Sequence, residues 1–507
     1  MFVQDKEIAA HHVSFAIGPF EKINLSEFRE VEEDDAMGAI AVEVMGYCLP
    51  GRENELRNTC VFMHKVDIYS NSNIRVLEVS NLMPKAVDFF VRDFGSYPYS
   101  SYKLCFVDDL PTSTVESASL SICSNHLLFT EDVIDPIYAT TRKLTYTLAA
   151  QWVGVSIGPK EWADLWVIIG IGYYMTGEFL KKLMGKNDYR FRLKKDAERV
   201  CELDIGKPSL YAQGTKAPFD TGDLDFIILK APLVLFILEQ RLWKLSGSYV
   251  LHRTLRRVIL HSTSGDLANN ELCTQYFIKM CEKISHSKLD SFFAQWVFGS
   301  GYPRFEVSQR FNKKKLVIEM GIKQVQATET PQKRLHPERF MLEARAQQRG
   351  VVVGPLMPVY TGPMTIRIHE ADGTPYEHVV SITEGYTKLD IPYNTKYKRL
   401  KRTRRQKERA AAVSGIDISL DQADDVLLYC LGDVLQTEDE IADWNIEEWS
   451  KEEEERMGQE SFEWIRMDAD FEWICTITLN QPDYMFLSQL QQDRDVVAQY
   501  EVGAPRG

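Results

Sequence analysis

Between Leu144 and Leu180 the chain reads LTYTLAAQWVGVSIGPKEWADLWVIIGIGYYMTGEFL. Two features of this stretch have the spacing of a zinc hydrolytic centre. Gln151-Trp152 follows the first of two apolar helical runs, and Trp162, Asp164 and Trp166 open the second. In such a centre the first helix carries H-E-x-x-H, which puts two imidazoles on one face with a Glu between them to activate the metal-bound water. The second helix adds a carboxylate as third ligand. Counted from Gln151-Trp152, the imidazole positions are Tyr146 and Ala150, the base position is Thr147 and the third-ligand position is Ile169. None offers an imidazole or a carboxylate, and a divalent ion there would be a buried charge without compensating donors. The four side chains are therefore expected to pack the place where a metal would sit; the alternative is a relict pocket that holds a peptide end without cleaving it. Trp152, Trp162 and Trp166 read as core, Asp164 as a buried hydrogen-bonding residue, and Tyr173 and Tyr174 as helix packing.

The elements that carry these positions belong to a chain of 507 residues with a net charge of −14, of a length that suggests two to four domains. So acidic a surface does not favour nonspecific nucleic-acid binding, and any such contact has to come from a local basic patch. Nine cysteines are scattered with no C-x-x-C, and the ten histidines make no H-x-x-x-H. That pattern reads as reduced thiols in a cytosolic or nuclear protein. The N-terminal MFVQDKEIAAHH is not a signal peptide, and no apolar run reaches the ~18 residues of a membrane span.

Taken in order, VSFAIGPF is strand-like and has no partner strands nearby in sequence, as if the chain were an excerpt of something longer. NLMPKAVDFFVRDFG has a helical period closed by Gly95, and SYKLCFV is a strand. Residues 111–136 read as an edge strand and loop. The paired helices span 137–155 and 160–184, with Pro159 at the start of the second. Helices follow to residue 302; LDFIILKAPLVLFILEQRLWKL is apolar nearly all round and should be central. At Gly301-Tyr302-Pro303 the period changes to 2: RFEVSQRF and KKLVIEMGI form a hairpin, and Asp372-Gly373 signals another.

These pieces, in this order, resemble the gluzincin aminopeptidases over roughly residues 10–480. The likeness lies in the Gln-Trp and W-x-D-x-W frame, in DFFVRDFGSYPYSSYKLCFV, and in LDSFFAQWVFGSGYPRFEV. That family holds the substrate amine with the Glu of a G-x-M-E-N strand. The matching stretch here is ASLSI, where neither Ser121 nor Ile122 supplies a carboxylate. The family's oxyanion-stabilising Tyr, two residues before a Lys, is replaced by Ile228 before Lys230. SFAIGPFE, SASLSI and DYMFLSQLQQDRDVVAQYE are similar to one branch of the family that serves, without catalysis, in the general transcription factor TFIID.

The resemblance implies a multidomain α+β chain. Residues 1–24 would be the tail of an N-terminal β domain. Residues 25–302 would form a thermolysin-like helical pseudo-peptidase domain. Residues 303–482 would form an antiparallel β-sandwich with charged insertions at 324–349 and 394–460, and 483–507 the first helix of a helical-repeat region. It further implies no catalytic residue, metal or cofactor, a nuclear hetero-oligomeric complex with TBP and TBP-associated factors 1 and 8, contact with core-promoter DNA, and no membrane. The rival readings are a metallo-aminopeptidase with a noncanonical site and a free peptide-binding module. The best nucleic-acid candidate is the basic run Lys396, Lys398, Arg399, Lys401, Arg402, Arg404, Arg405, Lys407 and Arg409. It reads equally as DNA-binding, as a nuclear-localisation signal, or as a solvated loop partly neutralised by the acidic run 438–455.

Overall fold

The computed structural model describes residues 7–28, 42–61, 64–68, 75–79, 82–204, 207–211, 221–326, 341, 356–370, 375–394, 462–493 and 495–503. The chain divides into two compact units. One comprises Met1–Tyr189, Lys207–Ser300 and Lys333–Gly354; the other comprises Arg190–Gly206, Gly301–Gln332 and Pro355–Gly507.

The first unit opens with strand β1 (Glu21–Asn24), strand β2 (Glu43–Cys48) and helix α1 (Glu53–Val61). A short hairpin, β3 (His64–Ile68) and β4 (Arg75–Val79), precedes helix α2 (Leu82–Phe94). Gly95 ends α2 as expected: its φ is +126°, and its N–H reaches the carbonyls of Phe90 and Val91. Strands β5 (Ser101–Val107), β6 (Thr114–Ser117) and β7 (Leu120–Ser124) complete a five-stranded sheet of order β1-β2-β5-β7-β6. Its three inner strands are parallel and its two outer pairs antiparallel. The stretch read as one edge strand and a loop is thus two strands, joined through Ala118 and a left-handed Ser119 (φ +60°).

Helix α3 (Ile137–Ala149) and helix α4 (Leu165–Met184) are the paired helices. Pro159 does not start the second: it lies in β8 (Gly158–Pro159), which pairs with β9 (Glu271–Leu272), and a 3-10 turn at Trp162–Asp164 leads into α4. Helix α5 (Lys186–Leu203) follows, then α6 (Thr221–Ser246), α7 (Val250–Ser264) and α8 (Thr274–Ser285). α6 is central, as its all-round apolarity requires: Leu233, Val234, Leu235, Ile237 and Leu238 are completely buried. It lies so close to α4 that a Cβ at Gly170 would come within 3.2 Å of Ala231 Cβ.

In the second unit, β10 (Arg304–Asn312) and β11 (Val317–Gln324) form the expected hairpin, with Phe305 opposite Gln324. Two sheets follow from β12 (Gly362–Glu370), β13 (Pro375–Ile382), β14 (Tyr386–Pro392), β15 (Phe462–Arg466) and β16 (Thr476–Leu479), in the orders β14-β11-β10-β16 and β13-β12-β15. The pairing is antiparallel throughout except that β16 runs parallel to β10, a pairing that needs a crossover rather than a tight turn. The C-terminal tail has a core to pack on. It forms α9 (Asp483–Gln492) and α10 (Val496–Gly503), which bury Met485, Val497 and Ala498.

Candidate functional site

The candidate centre is built from α3, α4 and the β6–β7 edge. Tyr146 on α3 and Tyr173 on α4 stack with ring centroids 4.0 Å apart and planes 15° from parallel. Room for the Tyr146 ring comes from Gly172, where a Cβ would lie 2.9 Å from Tyr146 Cε2. The Arg142 guanidinium sits 5.1 Å from the centroid of Tyr173. Burial holds both phenols protonated: Tyr146 is pushed well above the usual tyrosine range and Tyr173 up to about 12.

Thr147, at the base position, is fully buried, and its Oγ1 donates to the Leu144 carbonyl at 2.8 Å. The same oxygen lies 3.0 Å from the Tyr102 hydroxyl, which donates to Ser121 Oγ at 2.9 Å. Thr147, Tyr102 and Ser121 thus form a buried hydroxyl network at the position matched to the base. Ala150 and Ile169 are buried at 3% and 6% exposure, apolar where two ligands would stand. Ile228 on α6 is half-buried, and the ammonium of its neighbour Lys230 lies 5.6 Å from the Phe226 ring. Phenols, an alcohol with its hydrogen bonds already made, and alkyl groups do not fit a zinc ion. Among the described residues no three of His, Cys, Asp and Glu come together as a metal-holding group.

The Gln-Trp and W-x-D-x-W frame residues have structural partners. Gln151 is fully buried; its Oε1 accepts from Ser119 N–H at 2.9 Å and its Nε2 donates to the Ser117 carbonyl at 3.0 Å. It therefore fastens the β6–β7 turn to the end of α3. Trp152 donates to the carbonyls of Gly95 and Ser96 and packs edge-on against Phe90 and Tyr97. Asp164 is buried as read: it accepts from Thr274 N–H at 2.8 Å, capping α8, while Trp166 donates to Thr274 Oγ1 at 3.0 Å. Trp162, read as core, is instead 44% exposed, because it sits on the 3-10 turn before α4 rather than within a helix.

One charged residue escaped the reading from sequence. Glu116, on β6 and two residues before the stretch matched to the amine-binding strand, raises the phenols of both Tyr146 and Tyr173 by its charge. Burial raises its own carboxyl, against a 2.7 Å hydrogen bond from Thr114 Oγ1. The Glu of T-V-E-S lies on the edge strand β6, opposite Ser121 of β7. The basic run from Lys396 to Arg409 lies outside the described residues.

Three comparisons bear on this arrangement. A family model described as the TAF2 Ig-like domain matches residues 300–482. Transcription initiation factor TFIID subunit 2 of Schizosaccharomyces pombe is 50% identical over 496 residues, covering 97% of this chain and 40% of that protein. The Saccharomyces cerevisiae protein of the same name is 37% identical over 97% of this chain and 36% of its own length. The chain thus spans about two fifths of the length of these relatives. The crystal structure of Legionella pneumophila aminopeptidase A in complex with aspartic acid is similar in fold, with a TM-score of 0.55 at 12% identity over 91% of this chain and 39% of that one.

Proposed function

Because this chain belongs to the TFIID subunit 2 family over the stretch it spans, we propose that it is a non-catalytic scaffold: an aminopeptidase-fold body that docks partners and promoter DNA within TFIID. One observation carries this reading. The positions matched to metal ligands and base present buried apolar groups, a protonated phenol and a satisfied hydroxyl, and Tyr146 stacks on Tyr173 of the facing helix. A catalytic zinc needs three donors and an open position, and this set supplies neither.

Such a subunit would work in the nucleus, in assembly of the RNA polymerase II preinitiation complex, with TBP-associated factors 1 and 8 and TBP as partners. The run from Lys396 to Arg409 would supply phosphate contacts to core-promoter DNA, with affinity falling steeply in salt. Incubation with zinc and an aminoacyl-anilide tests the loss of catalysis; turnover abolished by a chelator would overturn it. A nuclear pull-down read by mass spectrometry tests the assembly role, and the absence of TBP-associated factors 1 and 8 would count against it. Replacing the nine basic residues by Gln tests the DNA contact: an unchanged affinity and salt slope removes it.

A second reading, capture of a peptide amine without cleavage, has Glu116 in its favour, a largely enclosed carboxylate beside the two tyrosines. Loss of peptide binding in Glu116→Gln, with the fold retained, would support it.

A further inference from the structure

The outer face of α7 is the surface with the clearest unmet chemistry in the first unit. Tyr249, Arg253, Arg256, Arg257 and Leu260 recur at helical spacing and are all exposed, Tyr249 to 62% and Leu260 to 61%. They form a stripe about 16 Å long, apolar at both ends and triply cationic in the middle. Like charges three and four residues apart repel on a helix, so the arginines do not serve the stability of α7. Among the described residues none of the three has a carboxylate partner. Arg253 reaches only Ser248 Oγ, at 2.8 Å. The nearby acids are engaged elsewhere: Asp93 with Arg92 at 2.9 Å and Asp266 with Ser264 Oγ at 2.6 Å. The chain as a whole carries −14, so this concentration of unpaired positive charge runs against its surroundings.

We propose that this face docks an acidic amphipathic helix of a partner protein. Its carboxylates would lie over Arg253, Arg256 and Arg257, and its flanking apolar side chains over Tyr249 and Leu260. Guanidinium forks match carboxylates in geometry as well as charge. A nucleic-acid backbone is the less suitable occupant, since it would cover Tyr249 and Leu260 with phosphate and gain nothing from Leu260. The inference rests on α7 alone and holds whether or not the chain works within TFIID.

The test uses the full chain and a fluorescein-labelled synthetic helix with Leu at both ends and a run of Glu between, read by anisotropy against salt. Its counter-probes are the same peptide with Gln for Glu and a duplex DNA of arbitrary sequence. The wild type should bind the Glu peptide and not the Gln peptide. R253Q/R256Q/R257Q should weaken binding by about tenfold or more, equivalent to about 1.4 kcal/mol, and flatten its salt dependence. L260S should weaken it by a smaller factor. These side chains are exposed, so circular dichroism and thermal unfolding should show unchanged folds, and R253K/R256K/R257K should recover much of the affinity as a control for charge. Equal affinity of wild type and the triple Gln variant overturns the proposal, as does equal affinity for the two peptides. It is overturned too if the arginines weaken only the duplex, which would make the face a phosphate-binding one.

Discussion

The ring of Tyr146 occupies the space that a side chain on Gly172 would need: a Cβ at 172 would sit 2.9 Å from Tyr146 Cε2 and 3.5 Å from Cδ2. Tyr146, which the sequence matched to a ligand position, also stacks on Tyr173. The absence of a Cβ at residue 172 is what leaves room for its ring. The rings cannot yield easily, since they are buried and stacked. Gly172→Ala is therefore expected to destabilise the first unit by about 1–3 kcal/mol, the usual cost of overpacking. Adding Tyr146→Ala should recover part of that loss. Urea unfolding of both single variants and the double measures the coupling, and simple additivity would show that the two residues do not share the space.

Gln151 makes two buried hydrogen bonds to the β6–β7 turn. Gln151→Leu is nearly isosteric but leaves Ser119 N–H and the Ser117 carbonyl without it. A loss of about 2–4 kcal/mol is expected, from two groups each costing about 1–3 kcal/mol when orphaned. Hydrogen exchange should quicken first at Ser119, which is held in the left-handed region. Unchanged exchange there would show that Gln151 does not fasten the turn.

The spacing from Gln151-Trp152 picked out Tyr146, Thr147, Ala150 and Ile169, and the structure buries Thr147, Ala150 and Ile169 and stacks Tyr146 on Tyr173. The central place of α6 was legible too: a helix apolar on all sides has nowhere else to go. Three things were not. Trp162 is exposed because a 3-10 turn, invisible to a 3.6-residue period, carries it outward. Glu116 was not singled out because a lone carboxylate on a short strand has no spacing rule that ties it to Tyr146 and Tyr173. The packing of α9 and α10 was not legible because two of the cations that hold them, Arg190 and Lys194, lie far off in sequence and no spacing rule links them.

Glu239 on α6 is 4% exposed, and one of its oxygens accepts the Leu251 N–H at 2.8 Å, near the start of α7, where Tyr249 offers no side-chain cap. Burial raises its carboxyl to about 7; the Leu251 hydrogen bond opposes this, Glu178 adds to it, and Lys181 offsets it in part. In the unfolded chain it would titrate near ~4.3. The folded state therefore binds the proton more tightly, and the contribution of this residue to stability falls as pH rises from about 4.3 to about 7, then stays level. The expected span is about 4 kcal/mol at most. Glu239→Gln should remove that slope and be more stable than wild type at pH 8, as read from urea midpoints across pH. A wild-type curve that rises through this window at this residue's expense would contradict the assignment.

Arg466, at the end of β15, holds the C-terminal segment through a buried network. It is 2% exposed along its side chain, 3.0 Å from Asp495 and 3.3 Å from Glu501; Arg190 also reaches Asp495 at 3.0 Å, and Lys194 reaches Glu501 at 3.1 Å. Burial alone would raise both carboxyls, but Arg466 with Arg190, and Lys194 with Arg466, outweigh it and hold Asp495 and Glu501 below their ordinary values. For acids depressed in the folded state, the stabilisation is present above the unfolded values near ~4 and is lost as pH falls through the lower folded values. The network should therefore loosen in acid. Arg466→Met fits the buried stem but leaves two carboxylates sharing the remaining cations, at an expected cost of about 3–5 kcal/mol at neutral pH. Its acid dependence should be shallower than that of wild type, because each carboxyl has lost part of what depressed it. Hydrogen exchange resolved over residues 483–503 at pH 7 and in mild acid reads both effects. Equal protection of these helices in Arg466→Met and wild type would mean that the apolar contacts of Met485, Val497 and Ala498 hold them without the ion network.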